Sequence, residues 1–88
     1  MPSVVTANLL RTGAVVYLTA DGQWVSDLGA AAIATDAAAL APLESLARAA
    51  VARQDVTAVY AFDVHVADGH ATALSVRETI RAAAARGQ

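Results

Sequence analysis

The chain has 88 residues, the size of one domain, and it predicts a single domain over residues 1–88. The formal net charge is −2, which argues against nucleic acid as a partner, since phosphate binding calls for a basic excess. The absence of cysteine excludes disulfides, thiolate zinc sites and cysteine-ligated iron–sulfur clusters. The sequence contains no apolar run of the roughly 20 residues that span a membrane and no signal-peptide pattern at its start. We therefore expect a cytoplasmic protein that does not enter the membrane.

The N-terminal segment predicts a β-hairpin. Val4–Leu10 and Ala14–Ala20 are β-rich runs joined by the turn residues around Gly13. An even-numbered loop is favoured, because this register brings the apolar side chains to one face of the hairpin. That face carries Val5, Ala7, Leu9, Val16, Leu18 and Ala20. On the opposite face, this register pairs Asn8 with Tyr17.

Asp21-Gly22 predicts a second tight turn directly after this hairpin. A two-residue loop there would direct Val25 into the core and place Trp24 on the outer face beside Tyr17. The sequence leaves open whether Trp24 is exposed or is covered by another segment.

The middle of the chain predicts one long helix. The stretch Ala31–Ala34 is ambiguous and could form a short strand. Asp36 has the character of an N-cap for a helix that runs to about Arg53. Pro42 lies inside this helix and predicts either a kink or a later start, since proline has no N–H to donate back along the helix.

The C-terminal segment predicts a hairpin followed by a short helix. Thr57–Val66 alternates in polarity as a half-buried strand does, and Asp68-Gly69 turns it into a return strand, His70–Leu74. A capping box, Ser75 to Glu78, begins the final helix. Its buried side is expected to carry Val76, Ile80 and Ala84. The predicted fold is α+β: an antiparallel sheet of about four strands (two hairpins), with the long helix packed on one face and a short C-terminal helix.

Several short motifs resemble a small uncharacterised bacterial family, a domain of unknown function. They are Thr6-Ala7-Asn8, Gly13, Val16-Tyr17-Leu18-Thr19, Asp21-Gly22, Trp24 and Arg77-Glu78-Thr79-Ile80-Arg81. The resemblance implies a gene encoded beside assimilatory sulfite reductase and sirohaem-synthesis genes, and it implies no established activity. The chain departs from the family at Val59, where proline is usual, and in its Arg86-Gly87-Gln88 ending.

Two histidines and an aspartate form a weak candidate for a metal site. The predicted C-terminal hairpin places Asp63, His65 and His70 on one solvent-facing surface. Imidazole and carboxylate groups suit zinc or another divalent ion. Because neither a fourth ligand nor supporting residues are visible, we interpret these residues as an ordinary polar face and expect no metal or other cofactor.

Two further groups of residues are candidates for binding. Arg77 and Arg81 lie one helical turn apart and could clamp an oxyanion or an acidic partner. The alternative is that Arg81 pairs with Glu78 while both arginines remain solvated. A second candidate is a recognition surface built from Asn8, Tyr17 and Trp24, because tyrosine and tryptophan are favoured binding anchors.

The sequence predicts no enzyme, because it shows neither a nucleophile paired with a base nor a glycine-rich phosphate loop. We expect a non-catalytic accessory or protein-interaction domain whose partner is another protein. The resemblance would make that partner a component of sulfite reduction, and a homodimer is also open. The alternative is a small-ligand protein that binds an oxyanion through Arg77 and Arg81.

Overall fold

Five antiparallel strands form one curled sheet, and a helix lies against each of its faces. The computed structural model describes residues 2–87. The strands are β1 (Ser3–Leu9), β2 (Val15–Leu18), β3 (Trp24–Val25), β4 (Val56–Ala67) and β5 (His70–Ala73), and the helices are α1 (Ala37–Ala52) and α2 (Val76–Arg86). The order across the sheet is β3-β2-β1-β4-β5. The predicted α+β class is confirmed, with five strands in place of about four.

The sheet face that packs on α1, called the α1 face, carries a mainly apolar core. Its core side chains are Val5, Ala7, Val16 and Leu18 from the strands and Leu43, Ala47 and Ala50 from the helix. The four strand residues belong to the set that the sequence assigned to one face of the first hairpin, and Leu9 of that set is partly buried there, but Ala20 lies exposed in the turn before β3. Burial of such side chains contributes about 25 cal/mol for each Å² of apolar surface removed from water.

The opposite face, called the α2 face, is covered by the C-terminal helix and by a 3-10 turn at Leu28–Ala30. Its buried apolar residues are Val4, Val15, Tyr17, Leu28, Ala31, Val64, Ala71, Ala82 and Ala85. The domain therefore has three layers, and neither face of the sheet is left free.

The first hairpin has the predicted faces but a shifted register. Thr6 pairs with Tyr17 and Asn8 pairs with Val15, so the expected pairing of Asn8 with Tyr17 is wrong by two residues. The cause is a longer loop, which closes through a bond from the N–H of Gly13 to the carbonyl of Leu9 at 2.8 Å. A shift by two residues leaves every side chain on its predicted face.

The second hairpin exchanges the predicted faces. Trp24 pairs with Leu18 and Val25 pairs with Tyr17. The loop has three residues, because the N–H of Thr19 donates to the carbonyl of Gln23 at 2.8 Å. Gly22 lies at φ 85°, the left-handed conformation that three-residue hairpin loops need. The pairing of the two strands is therefore shifted by one residue from the predicted register, and the predicted position of Trp24 on the outer face beside Tyr17 is wrong.

The long helix begins and ends where the sequence predicts. The side chain of Asp36 accepts a hydrogen bond from the N–H of Ala39 at 2.8 Å, and Arg53 is the C-cap. Pro42 lies within the helical span, which already begins at Ala37. The ambiguous stretch before the helix is not a strand, since only Ala34 forms a β-bridge there, with Ser3.

A β-bulge in β4 changes which of its residues point to each face of the sheet. The pairing of β4 with β1 shifts between Thr6 and Asn8, and Ala58 of β4 lies at φ 55°. One inserted residue reverses the alternation of faces. As a result, Val56 and Val59 both pack on the α1 face although they are three positions apart, which in a regular strand would place them on opposite faces.

The C-terminal hairpin has the predicted register, with Ala67 opposite His70 and His65 opposite Thr72. The start of α2 is also confirmed, because the Ser75 hydroxyl accepts from the N–H of Glu78 at 3.1 Å. Between residues 2 and 87, no helix combines the length and the hydrophobicity needed to cross a membrane.

The buried side of α2 is not the predicted one. The helix buries Glu78, Ala82 and Ala85 against the sheet. The expected stripe of Val76, Ile80 and Ala84 faces solvent instead. The bulky rings on the α2 face leave room for alanines there, and the polar groups of that face supply partners for the carboxylate of Glu78.

Candidate functional site

A buried polar cluster lies between the sheet and α2. Its centre is Glu78, which is 6% exposed. Its Oε2 accepts a hydrogen bond from the Tyr60 hydroxyl at 2.7 Å, and its Oε1 lies 3.5 Å from Nε of Arg81. The expected pairing of Arg81 with Glu78 is therefore present, but it is buried rather than solvated. Within residues 2–87, Oε1 of Glu78 and Nε of Arg81 have no hydrogen-bond partner, so their contact is an ion pair and not a hydrogen bond.

Two polar residues of β1 receive the end of the Arg81 side chain. One terminal nitrogen of Arg81 donates to Oγ1 of Thr6 at 3.2 Å, and both terminal nitrogens lie 3.5 Å from Oδ1 of Asn8. Thr6 in turn donates to the carbonyl of Val16 at 2.8 Å. The guanidinium thus joins α2 to β1, the central strand, and its terminal N–H groups point toward the protein interior.

Two tyrosines border the cluster in different ways. Tyr60 is hydrogen-bonded, whereas the buried hydroxyl of Tyr17 has no partner among residues 2–87. Burial raises the pKa of Tyr17 above its usual value of 10.0. Burial also raises the pKa of Tyr60, and its hydrogen bond to Glu78 raises that pKa further. Both phenols are therefore neutral across the physiological pH range.

Arg77 and Arg81 meet at one aromatic ring. The guanidinium carbon of each lies 5.5 Å from the centre of the Tyr60 ring, within the range of a cation–π interaction. Arg77 is exposed, but Arg81 directs its N–H groups to Thr6 and Asn8. An oxyanion held jointly by the two arginines would have to displace these internal contacts, so nothing in the geometry favours that alternative.

The proposed surface of Asn8, Tyr17 and Trp24 is not assembled. Tyr17 is buried and Asn8 is half-buried on the α2 face, while Trp24 packs on the α1 face. The indole lines a cleft of about 640 Å³ at the end of the sheet. The other residues of the cleft are Leu9, Arg11, Thr12, Gln23, Gln54 and Asp55. The structure thus brings Asn8, Tyr17, Arg77 and Arg81 to one region and separates Trp24 from them.

The histidine face is an exposed corner of the C-terminal hairpin. Asp63, His65 and His70 are all exposed. Within residues 2–87, no three histidine or acidic side chains come together closely enough to hold a metal ion. Nδ1 of His70 lies 3.0 Å from the carbonyl oxygen of Gly29. Because a carbonyl only accepts, this contact assigns the proton to Nδ1.

The side of α2 that points away from the sheet carries large exposed apolar side chains. Val76 is 78% exposed, Ile80 is 63% exposed and Leu74, directly before the helix, is 54% exposed. The sequence assigned the valine and the isoleucine to the core. Their helical spacing correctly predicted that they share one side of the helix, but it could not show whether that side meets the sheet.

Comparison with known proteins identifies a family without assigning a function. The profile of a family described as "Protein of unknown function (DUF2849)" matches residues 3–85. No curated protein and no solved structure matches the chain.

Proposed function

The chain belongs to this family of proteins of unknown function, DUF2849, and we propose that it is a non-catalytic protein-interaction domain that presents α2 to a partner protein. The single observation that carries the proposal is the outward apolar side of α2. Leu74, Val76 and Ile80 are more than half exposed. Contiguous exposed apolar surface is typical of protein-binding sites.

The packing of the domain explains why these apolar side chains do not contribute to its core. The opposite side of α2 carries Glu78, Ala82 and Ala85, which already meet the sheet. Helix residues at i and i+4 share a side, so Val76 and Ile80 lie together on the side away from it. Such a helix fits an apolar groove, with its anchors at helical spacing.

The charges around the stripe indicate the chemistry of the partner. Arg77 and Arg86 are exposed on α2, whereas Glu78, its single acidic residue, is buried. The exposed part of the helix is therefore basic in a chain of net charge −2. We propose a partner whose apolar groove has an acidic rim, since complementary charge favours association and selects the partner. The family resemblance described above makes a component of assimilatory sulfite reduction the first candidate.

Binding to a purified partner tests this proposal. The tagged domain is used to capture partners from cells, and each candidate, with sulfite reductase among them, is then purified and titrated against the domain by calorimetry. Replacement of both anchors, Val76→Ser and Ile80→Ser, is expected to weaken binding by about tenfold or more, because truncated interface anchors often cost at least about 2 kcal/mol. Arg77→Glu is expected to weaken binding most strongly at low salt.

The matched control is Val51→Ser. This residue is an exposed apolar side chain of α1, far from the stripe in sequence and 45% exposed. It should leave both binding and the melting temperature nearly unchanged. Binding of a purified partner that persists in the double variant would remove α2 as the docking surface, and direct binding of sulfite reductase decides the pathway assignment separately.

A further inference from the structure

The outer edge of β4 is open along most of its length. This strand runs from Val56 to Ala67, but β5 pairs only with Val64 to Ala67. Within residues 2–87, the other pairing of β4 is with β1, on its opposite edge. A segment of β4 before Val64 therefore has no neighbouring strand on its outer side. Open edges of this kind readily pair with another chain.

The direction of the backbone groups follows from the alternation along the strand. The N–H of Val64 donates to the carbonyl of Pro2, on the β1 side, at 2.9 Å. Alternate residues direct their N–H and C=O groups to the same edge. The backbone N–H and C=O groups of Tyr60 and Phe62 therefore point toward β1, while those of Val59 and Ala61 point toward the open edge.

Two opposite charges lie beside this edge. Glu44 and Arg48 of α1 line a groove of about 230 Å³ together with Val59, Tyr60 and Ala61. Both charged side chains are exposed, and within the described residues neither forms an ion pair, although they are one helical turn apart. The charge pair is therefore available to a molecule that docks at the edge.

We propose that a second copy of this chain docks here, so that two β4 strands pair antiparallel about a twofold axis at Tyr60. Val59 of each chain then lies opposite the partner's Ala61, and both residues exchange backbone hydrogen bonds. A twofold contact uses the same patch on both copies, which suits an edge that carries its own complementary charges.

The positions of Glu44 and Arg48 favour a twofold axis at Tyr60 over one at Ala61. Because α1 and β4 are joined by a short loop, they run in opposite directions, and the four residue steps from Glu44 to Arg48 along the helix span about 6 Å. The two residue steps from Ala61 to Val59 along the strand span about the same length. An axis at Tyr60 therefore places Glu44 opposite the partner's Arg48. An axis at Ala61 would instead place Glu44 opposite the partner's Glu44, and like charges oppose association.

The oligomeric state of charge-reversed variants tests the proposal. Sedimentation of the wild-type chain is expected to show a dimer. Glu44→Arg and Arg48→Glu should each raise the dimer dissociation constant by about tenfold or more, because each creates a like-charge contact. The double reversal restores opposite charges across the axis and should return the dissociation constant to near the wild-type value. Circular dichroism and melting temperature establish that each variant is folded.

Two further variants separate this interface from the α2 surface. Ala61→Pro removes an N–H that faces the open edge, where proline is tolerated, and it should abolish the dimer while the monomer stays folded. Val76→Ser with Ile80→Ser should leave the dimer intact. A monomeric wild-type chain, or a dimer insensitive to the single reversals, would overturn the proposal, and so would single reversals that the double reversal does not rescue. Partner binding through α2 does not depend on any of these outcomes.

Discussion

The two faces of the sheet are held by different kinds of interaction. On the α1 face, the core clusters consist of apolar side chains, such as Leu18 and Leu43. On the α2 face, a buried carboxylate, a guanidinium and a phenol are interlocked: Glu78, Arg81 and Tyr60. An apolar layer tolerates many side chains of suitable volume, whereas a polar cluster is favourable only when each group meets its partner. Both faces therefore bury apolar side chains, and the polar cluster of the α2 face additionally fixes the position of one helix.

The largest expected effect comes from a charge placed in the apolar layer. Leu18→Asp should leave the chain unfolded, because an unpaired buried carboxylate costs several kcal/mol and the lost leucine packing costs about 2–5 kcal/mol more, against a total stability of roughly 5–15 kcal/mol. Leu18 is fully buried, and the matched control Leu74→Asp changes a leucine that is mostly exposed. Far-UV circular dichroism compares the two variants. A folded Leu18→Asp protein would contradict the burial of Leu18 in the core between the sheet and α1.

The polar layer should respond to substitution as a unit. Glu78→Leu or Arg81→Met alone is expected to cost about 3–5 kcal/mol, because each leaves a buried charge without its partner. The double variant replaces the pair by apolar groups and should cost much less than the sum. Chemical denaturation of all four proteins completes the double-mutant cycle. Additive losses would indicate that the two side chains act independently.

The two tyrosines offer a sharper test within the polar layer. Tyr60→Phe removes a hydrogen bond to a charged group and is expected to cost about 1.5–3 kcal/mol. Tyr17→Phe removes a buried hydroxyl that has no partner in residues 2–87, and it should be neutral or stabilising. Urea denaturation measures both. An equally large loss for Tyr17→Phe would mean that its hydroxyl holds a buried water or ligand.

The same tyrosines predict a loss of stability at alkaline pH. Their pKa values are raised in the folded chain, mainly by burial. Above about pH 10 the unfolded chain loses its phenolic protons while the folded chain retains them, so the free energy of unfolding falls as the pH rises. Tyrosinate absorbance and circular dichroism, followed together, should change in one transition. Tyrosine ionisation well below pH 10 in the folded state would contradict the burial of both rings.

The smallest expected effect concerns the β-bulge at Ala58 of β4. Ala58 lies at φ 55°, a conformation that costs a residue with a Cβ roughly 1–2 kcal/mol. Ala58→Gly should stabilise the fold by about 0.5–1 kcal/mol, because glycine removes this strain but loses more backbone entropy on folding. Its counterpart is Gly69→Ala at φ 77°, which should destabilise by a similar amount. Melting temperatures compare them, and a destabilised Ala58→Gly protein would contradict the bulge conformation.

Local signals predicted the elements of this fold and their ends. Asp36 and Ser75 are the N-caps that their sequence context indicated, because capping depends only on neighbouring backbone groups. Asp68-Gly69 determined the register of the last hairpin, since a two-residue loop with both residues at positive φ admits one pairing. The Asp21-Gly22 pair carried the same signal and misled, because the chain closes that hairpin with a longer loop.

The α+β class, the apolar face of the first hairpin and the long helix could be predicted from the sequence, because they rest on short-range periodicity and capping. The side of α2 that meets the sheet and the partners of Arg81 depend on packing between distant segments. The stripe of Val76 and Ile80 is the more hydrophobic side of that helix, yet the sheet accepts Ala82, Ala85 and the carboxylate of Glu78. The physical reason is complementarity, because Tyr17 and Tyr60 fill the α2 face and the polar groups there need partners. Shape and hydrogen bonding between distant segments therefore outweighed hydrophobicity within one segment, and the apolar side of α2 remains exposed.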